Sequence, residues 1–367
     1  MEKAVDKKVL FVANQELNCA PNQRFRFEQY LYFFTQMGFQ WEISHLLSCK
    51  DVQKLYTPGH YIRKAKILKN SIIIRRNDIK RLKNFDLIYV SREALMTGSV
   101  FFEKKLHESG IPFIFDFDDA IWRENVSPAN RKFKWLKKPS KTADIIRMAS
   151  LVIAGNNYLA EYARKFNSNV KIIPTTVDTD KFVNLKTKSN KKIVIGWSGS
   201  KTTIAHFETI IPVLDFINDK YPKKVEFRVI GDDSYTNKRL NIKGIKWTAH
   251  DEVEKLNEFD IGIMPLPHDE WSLGKCGLKG LTYMSCEIPS VFSAVGVNNE
   301  IITQGQNGFV ATTSHDWIQC LSELIENTDL RNKIGIAGRK TVVEKYSVIA
   351  NKEKYLEAFN SVLKVGS

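Results

Sequence analysis

The chain has 367 residues, an ordinary globular composition and a net charge of +14. This length predicts two domains, each able to bury its own core. No run of about 18 apolar residues occurs and the first thirty residues lack a signal-peptide pattern, so we expect no membrane-spanning helix and a cytoplasmic location. The five cysteines have no metal-ligand spacing, which predicts reduced thiols with structural roles.

Positive charge is concentrated in the first part of the chain. Residues 1–200 hold 35 Lys and Arg against 19 Asp and Glu, a balance of +16, whereas residues 201–367 hold 20 against 22, a balance of −2. The excess is densest at 54–83 and 131–141. It indicates an anionic partner: an acidic membrane surface, a pyrophosphate-linked acceptor or nucleic acid. A solvated face without a partner is the alternative, and nucleic acid is disfavoured because no nucleic-acid-binding motif accompanies the charge.

The first half alternates between strand and helix patterns, which predicts an α/β fold with a parallel sheet. Buried strands are expected at 8–12, 40–44, 86–90, 112–115, 151–154 and 170–173. Helices are expected after residue 22 and at 99–109, 141–149 and 157–166. The segment 50–83 gives no clear pattern.

Three acids, Asp116, Asp118 and Asp119, stand at the end of an apolar strand. Such carboxylates are costly there unless they meet water, a metal or a substrate. A magnesium or manganese site is one interpretation, and a phosphatase-type pair of Asp116 and Asp118 is another. Neither has a supporting acid or lysine motif downstream. Helix caps with a salt bridge to the basic segment 131–141 are the structural alternative.

A polar linker at 183–190 precedes a second α/β unit. Strands are expected at 192–197, 225–231, 245–248, 259–266 and 289–293, and helices from 203 to about 221 and at 278–284, 314–326, 330–345 and 348–365. The loop after the first of these strands contains Gly199, Ser200 and Lys201 at a helix start, a combination suited to phosphate.

A second candidate phosphate site is the turn at 273–277, which leads into a short helix. A glycine-containing entry lets backbone N–H groups approach an anion, which the helix N-terminus also favours. Lys275 and Lys279 lie four residues apart and can reach the same anion. The alternative is a solvated basic turn that caps a core helix.

This segment resembles the donor-binding segment of retaining glycosyltransferases with the two-domain GT-B fold, family four. The matching residues are Gly277, Leu278, Leu281 and Met284. Gly274 and Thr282 stand where the family has two glutamates, and Lys275 and Lys279 are the charged residues instead. The likeness extends over the whole chain and is strongest over 192–312.

The resemblance implies two Rossmann-like domains at 1–180 and 181–346, with parallel sheets facing a central cleft. A final helix at 347–367 would cross back to the N-terminal domain. The implied activity is sugar transfer from a nucleotide-diphosphate sugar to a hydroxyl of a glycan acceptor, with retention and without a metal or cofactor. The implied partners are the nucleotide sugar and a glycan acceptor, and no nucleic acid. The positive charge of the N-terminal domain separately predicts a lipid-linked acceptor and peripheral contact with an anionic membrane.

The resemblance also implies roles for individual residues. Donor-binding candidates are Gly199, Ser200, Lys201, Trp247, His250, Lys275, Cys276, Gly277, Leu278, Lys279 and Thr282. Catalytic candidates are Asp118 and Asp119, beneath the donor sugar, and Lys279, at the leaving phosphate. Asn14 and Arg24 would border the acceptor. On spacing alone His250 is more often a surface cap. Arg24 either meets an acceptor phosphate or decorates the helix start, and Asp269 or Glu270 would supply the carboxylate lost from the usual positions.

Two other functions fit the same pattern. A GT-B epimerase or phosphorylase would use the same fold for different chemistry. A degenerate member that only binds nucleotide or glycan would explain the absence of the two glutamates.

Overall fold

The computed structural model describes residues 6–55, 57, 59–123, 136, 138–185 and 192–363. The chain divides into two compact units: residues 1–175 with 351–367, and residues 176–350. The boundaries expected from sequence, 180 and 346, lie a few residues from these. Within the described residues, no helix has both the length and the apolar character needed to cross a membrane.

The first unit is built on a six-stranded parallel sheet with the order β2-β1-β3-β4-β5-β6. Its strands are β1 (Lys7–Val12), β2 (Phe39–Ser44), β3 (Leu87–Ser91), β4 (Phe113–Phe117), β5 (Leu151–Ala154) and β6 (Val170–Ile172). Its helices are α1 (Pro21–Arg24), α2 (Leu31–Gln36), α3 (Cys49–Leu55), α4 (Tyr61–Lys80), α5 (Phe101–Glu108), α6 (Lys141–Met148) and α7 (Asn157–Arg164). The central strands β3, β4 and β5 are buried throughout, as expected where helices cover both faces of a parallel sheet.

All six strands predicted for this unit are present, and two helical regions differ from prediction. The single helix expected after residue 22 is divided into α1, a 3-10 turn at Glu28–Tyr30, and α2. The segment without a pattern forms α3 and the 20-residue helix α4. The buried face of α4 carries polar residues, Lys64, Ser71, Arg75 and Asp78 beside Ile67, so it has no apolar periodicity to detect.

The second unit is built on a five-stranded parallel sheet with the order β13-β12-β11-β7-β8, beside a two-stranded antiparallel pair. Its strands are β7 (Ile193–Ser198), β8 (Val225–Ile230), β9 (Thr236–Asn237), β10 (Ile242–Lys243), β11 (Ile261–Met264), β12 (Ser290–Ser293) and β13 (Phe309–Ala311). Its helices are α8 (Ile204–Glu208), α9 (Ile211–Lys220), α10 (Glu252–Leu256), α11 (Glu270–Leu273), α12 (Leu278–Ser285), α13 (Asn298–Ile301), α14 (Ser314–Glu326) and α15 (Thr328–Thr341).

Two predictions for this unit are wrong in detail. The long helix expected to end near Tyr221 is interrupted between α8 and α9, and Pro212 lies in the first turn of α9, where its missing N–H has no cost. The strand expected at 245–248 is reduced to a single bridge between Ile245 and Ile230.

The last helix, α16 (Val348–Leu363), packs against the first unit from residue 351 onward. The Phe359 ring stacks on Phe34 with centroids 4.6 Å apart, and the Tyr355 ring lies 4.4 Å from that of Tyr30. Tyr355 and Phe359 are almost fully buried. The C-terminal helix therefore completes the aromatic core of the first unit, which is the return that the sequence predicted.

The cysteine prediction is wrong for one pair. Cys19 and Cys49 form a disulfide with Cα atoms 5.6 Å apart, while Cys276, Cys286 and Cys320 are buried free thiols. The loops after β1 and β2 run side by side beyond the sheet, and this brings the two distant cysteines together. Glu16 lies beside the pair, but disulfide sulfurs are not thiolates and do not bind a metal in this state.

Candidate functional site

The turn before α12 has a conformation that requires glycine. Gly277 has φ of 72° and stands immediately before the first residue of α12, Leu278. A Cβ at this position would be strained and would also lie 2.4 Å from Cδ1 of Ile301. The first N–H groups of a helix have no partner within it, and they carry the positive end of the helix dipole. The turn therefore leads into a helix start suited to an anion.

Two lysines of this segment lie over tryptophan rings. The Lys279 ammonium is 5.7 Å from the ring centroid of Trp197, and the Lys275 ammonium is 5.2 Å from that of Trp271. Both lysines are half-buried. An aromatic face attracts an ammonium without neutralising its charge. Because Trp197 belongs to β7, the first contact joins the start of α12 to the end of that strand.

The loop after β7 lies beside this helix start. The Ser198 N–H donates to the Tyr283 hydroxyl at 2.7 Å, and Tyr283 belongs to α12. Burial raises the pKa of Tyr283, so its hydroxyl stays neutral. Ser200 and Thr203 form a capping box around the 3-10 turn that contains Lys201, with Ser200 N–H donating to Thr203 Oγ1 at 3.1 Å. The structure thus brings the two sequence-predicted phosphate loops together.

A third segment reaches the same edge of the sheet through glycine contacts. Gly231 has φ of 130°, and a Cβ there would lie 1.5 Å from the carbonyl oxygen of Gly199. The Gly231 N–H donates to the Ile245 carbonyl at 2.7 Å. Trp247 follows and is half-buried, whereas His250 is exposed in the turn before α10. The segment with the two predicted base contacts therefore starts next to the Gly199 loop.

The remaining side chains of the donor segment are occupied locally. The Thr282 hydroxyl donates to the Lys279 carbonyl at 2.7 Å, and the buried Cys276 thiol points to the Gly274 carbonyl at 3.8 Å. Asp269 caps α11 by accepting from the Ser272 N–H at 2.7 Å. Asp269 thus acts as a helix cap in this structure.

Sequence reasoning missed Asn298 at the start of α13. Its side chain is fully buried, and its Nδ2 donates to the Ser293 carbonyl at 2.9 Å. Its Oδ1 has no hydrogen-bond partner among the described residues and lies 3.7 Å from the position that a Cβ of Gly277 would take. A buried amide oxygen without a donor is costly, so its position beside this turn marks a functional candidate. The sequence around Asn298 indicated only that a helix begins there.

In the first unit, Asp116 at the end of β4 is held by a buried arginine. Arg26 donates from Nη2 and Nε to the two carboxylate oxygens, the second at 3.1 Å, and from Nη1 to the Ile173 carbonyl at 2.6 Å. Both charged side chains are 1% exposed. A carboxylate held bidentately in the core is not available as a metal ligand or nucleophile, which disfavours both of those interpretations of Asp116.

The neighbouring acids Asp118 and Asp119 share another arginine that the sequence did not single out. Arg92 Nε donates to Asp118 Oδ1 at 2.8 Å, and Arg92 Nη2 pairs with Asp119. The Arg92 backbone N–H donates to the Asp116 carbonyl at 2.7 Å, and its φ of 62° lies in the left-handed region. That conformation costs about 1–2 kcal/mol for a residue with a side chain, which suggests a functional constraint. The salt bridge expected to 131–141 falls mostly outside the described residues.

The electrostatics of this cluster follow from its burial. Burial raises the pKa of the Asp118 carboxyl, the Arg92 charge opposes this, and the Asp119 charge adds to it. Burial alone would lower the pKa of Arg92, but the two carboxylates outweigh that effect and raise it. Asp118 therefore holds a proton more readily than an exposed aspartate does, beside a permanently charged guanidinium.

The two acceptor-side candidates lie at the carboxyl end of β1. Asn14 is half-buried, and its Oδ1 has no hydrogen-bond partner among the described residues. Arg24 on α1 is only 8% exposed, with its guanidinium carbon 4.9 Å from the Phe25 ring, so it is not a surface decoration. Parallel strands end at one edge of a sheet, which places these residues at the same edge as Asp118.

Comparison with known proteins agrees with this architecture. Residues 192–327 match the family model of glycosyl transferases group 1. Comparison with curated proteins finds no significant match. Sucrose-phosphate synthase from Thermosynechococcus elongatus superposes with a TM-score of 0.73 at 11% identity, covering 98% of this chain and 100% of that one.

Two further structures show the same fold. A glycosyltransferase from Rickettsia africae has a TM-score of 0.67 at 15% identity and covers 98% of this chain and 99% of its own. HepE from Anabaena, solved with UDP and glucose, has a TM-score of 0.64 at 16% identity and covers 97% and 100%. Residues 192–327 therefore carry a glycosyl transferases group 1 domain, and the chain shares the two-domain GT-B fold of these structures.

Proposed function

We propose that the enzyme transfers a sugar from a nucleotide-diphosphate donor to a hydroxyl of a glycan acceptor, and that the diphosphate binds at the turn before α12. The observation that carries the proposal is the contact of Lys279 with Trp197, which joins the Gly277 turn to the Gly199 loop. The leaving group develops negative charge on its β-phosphate. Fixed N–H dipoles and ammonium groups aimed at that charge stabilise the transition state.

The donor residues divide by role in this proposal. Lys275 and Lys279 neutralise the diphosphate, which makes a metal unnecessary. The N–H groups near Cys276, Gly277 and Leu278 bind phosphate oxygens. On the neighbouring loops, Gly199, Ser200 and Lys201 contact the same phosphates, Trp247 and His250 bracket the base, and Thr282 borders the sugar. HepE, solved with UDP-glucose, supports a nucleotide-sugar donor of this kind.

The acids of the first unit act on the sugar. Asp118 or Asp119 binds sugar hydroxyls or stabilises positive charge at the reacting carbon, and Arg92 keeps both in position. We propose retention of configuration by a front-face route, which needs no covalent nucleophile. Asn14 and Arg24 border the acceptor. The basic first part of the chain favours a pyrophosphate-linked lipid acceptor at the inner face of a membrane, in polysaccharide assembly.

A protein that binds nucleotide without transferring sugar is the second candidate, because Gly274 and Thr282 replace the two glutamates. An epimerase is a third, since the Asp118 carboxyl with its raised pKa resembles an acid–base group. Incubation with labelled nucleotide sugars, with and without a glycan acceptor, separates the three. Transfer requires the acceptor, epimerisation does not, and a degenerate protein gives neither product.

Calorimetric titration with UDP, GDP, ADP and dTDP tests the donor site. Lys275→Ala and Lys279→Ala should each weaken the binding of the preferred diphosphate by about 1–3 kcal/mol, the cost of a lost charge-assisted contact. Lys333→Ala on α15 removes an exposed lysine and is the matched control. Unchanged affinity in both donor-loop variants would remove these lysines from the site.

A further inference from the structure

Helix α4 presents an exposed stripe of four cations and two isoleucines, with two cations after each isoleucine. The stripe consists of Ile62, Lys66, Lys69, Ile73, Arg76 and Lys80. These positions are separated by three or four residues, so they align along one side of a helix about 30 Å long. All six are exposed, Ile62 to 89% and Ile73 to 43%. The stripe contains no acid.

The opposite side of α4 is fixed to the sheet by a buried polar network. Arg75 donates from Nη2 to the Ala13 carbonyl at 2.7 Å and from Nε to the Ala94 carbonyl at 2.8 Å. Asp78 pairs with Arg75 at 3.0 Å, and both are nearly fully buried. The rotation of the helix is thereby set by hydrogen bonds. The isoleucines face outward because the polar residues occupy the inner side.

The start of the helix adds an open cavity to this face. Its volume is about 480 Å³, and the described residues that line it are His60, Tyr61, Ile62, Arg63 and Lys66. Tyr61 is half exposed. The lining thus combines apolar, aromatic and cationic groups, as a surface does that contacts both the headgroups and the upper acyl chains of a bilayer.

We propose that the α4 stripe docks the enzyme on a bilayer rich in anionic phospholipid. Cations contribute attraction to the lipid charge, and isoleucines enter the boundary between headgroups and chains. Exposed isoleucines between the cations favour a membrane over nucleic acid, whose phosphates offer them no apolar phase. This inference rests on the proposed function in one respect: a lipid-linked acceptor would require the enzyme to bind a membrane.

Vesicle co-sedimentation of the full chain tests the docking surface. Vesicles with about 30 mol % phosphatidylglycerol should bind the protein, and purely zwitterionic vesicles should bind it far less. Lys66→Gln with Lys69→Gln should lower the partition coefficient about 25-fold, since each cation near the surface accounts for about five-fold. Ile62→Ser with Ile73→Ser should lower it by a similar factor through lost apolar burial. Added salt should weaken vesicle binding by the wild-type protein more than vesicle binding by the lysine variant.

Matched controls come from helix α15, where Lys333 and Ile336 are also exposed. Lys333→Gln and Ile336→Ser should leave vesicle binding unchanged, and thermal melting checks that every variant is folded. Absence of binding to anionic vesicles overturns the proposal, as does equal binding by the stripe variants. Binding to a random DNA duplex that the lysine variant loses, without vesicle binding, would assign the stripe to nucleic acid instead.

Diphosphate titration of the same samples without vesicles keeps the two proposals separate. The stripe variants should bind the nucleotide like the wild-type protein, because α4 belongs to the first unit and the donor loops belong to the second. Vesicle binding without nucleotide binding would preserve the docking surface and reject the donor site. Nucleotide binding without vesicle binding would preserve the donor site and reject the docking surface.

Discussion

The two units hold the charged side chains of their candidate sites in different ways. In the first, each acid of the β4 end pairs with a guanidinium: Asp116 with Arg26, and Asp118 and Asp119 with Arg92. In the second, Lys275 and Lys279 lie over indole rings. A close ion pair compensates charge, whereas an aromatic face leaves an ammonium charged. The first arrangement fixes acids in position, and the second places two ammonium groups against indole rings beside the Gly277 turn.

The largest effect should come from breaking the fully buried pair. Arg26→Met leaves Asp116 as an uncompensated buried charge, so we expect the first unit to lose about 3–5 kcal/mol of unfolding free energy, measured by urea denaturation. Asp116→Asn added to Arg26→Met should recover part of the loss, because it removes the isolated charge. A loss below about 1 kcal/mol would show that the pair is not a charge-compensated element of the core.

Gly277→Ala tests the second arrangement through its backbone. Left-handed strain costs about 1–2 kcal/mol, and the contact with Ile301 adds about 1–3 kcal/mol of overpacking. Gly305→Ala is the matched control, because Gly305 has φ of 70° but nothing within 4 Å of its added Cβ. Thermal unfolding of both variants separates strain from contact, and only Gly277→Ala should weaken diphosphate binding. Equal losses of stability and affinity in the two variants would contradict this account.

Arg92→Lys sharpens the comparison by keeping the charge and losing the planar fork. We expect kcat to fall about 10- to 100-fold through misplacement of Asp118 and Asp119, with diphosphate affinity unchanged. Arg92 lowers the pKa of Asp118 against the effect of burial. A looser pair therefore raises that pKa, and if the reaction needs ionised Asp118, the acidic limb of the pH–rate profile should move to higher pH. If kcat falls equally at every pH and the pH–rate profile does not shift, Arg92 has a structural role only.

The smallest effect should come from Glu103 on α5, an acid held by a backbone donor. Its Oε1 accepts from the Ala94 N–H at 3.0 Å, and burial raises its pKa above the ordinary value. A raised carboxyl pKa favours folding at low pH, and this contribution is lost as pH rises from 4.5 through the folded-state pKa. Glu103→Gln should therefore stabilise the protein by about 1 kcal/mol at pH 7 and by less at pH 4, measured as Tm. Equal gains in Tm at pH 7 and pH 4 would contradict a role for the raised pKa of Glu103.

The strands and the glycine turn before α12 were predictable because their signals are local. Apolar runs such as 8–12 and 151–154 can only be buried, and a glycine before an amphipathic helix is a local indicator of a phosphate turn. Arg92 could not be found, because its partners Asp118 and Asp119 come from another strand and its left-handed backbone leaves no sequence pattern. The Cys19–Cys49 pair depends on two loops becoming neighbours, which composition does not encode.

Helix α4 and the break between α8 and α9 show a second limit. Periodicity detects a helix only when its buried side is apolar, and the inner side of α4 is held by Arg75 and Asp78. The α8–α9 break was signalled by Pro212, but a proline in a first turn and a proline in a kinked helix look alike in sequence.

The position of α16 has a consequence for biosynthesis. Tyr355 and Phe359 enter a core that begins with Phe11 on the first strand, so that core spans nearly the whole length of the polypeptide. During translation the N-terminal core therefore cannot close until α16 has been synthesised. The region synthesised first thus depends on one synthesised much later, and a premature stop codon before Tyr355 would remove two aromatic side chains from the core around Phe11.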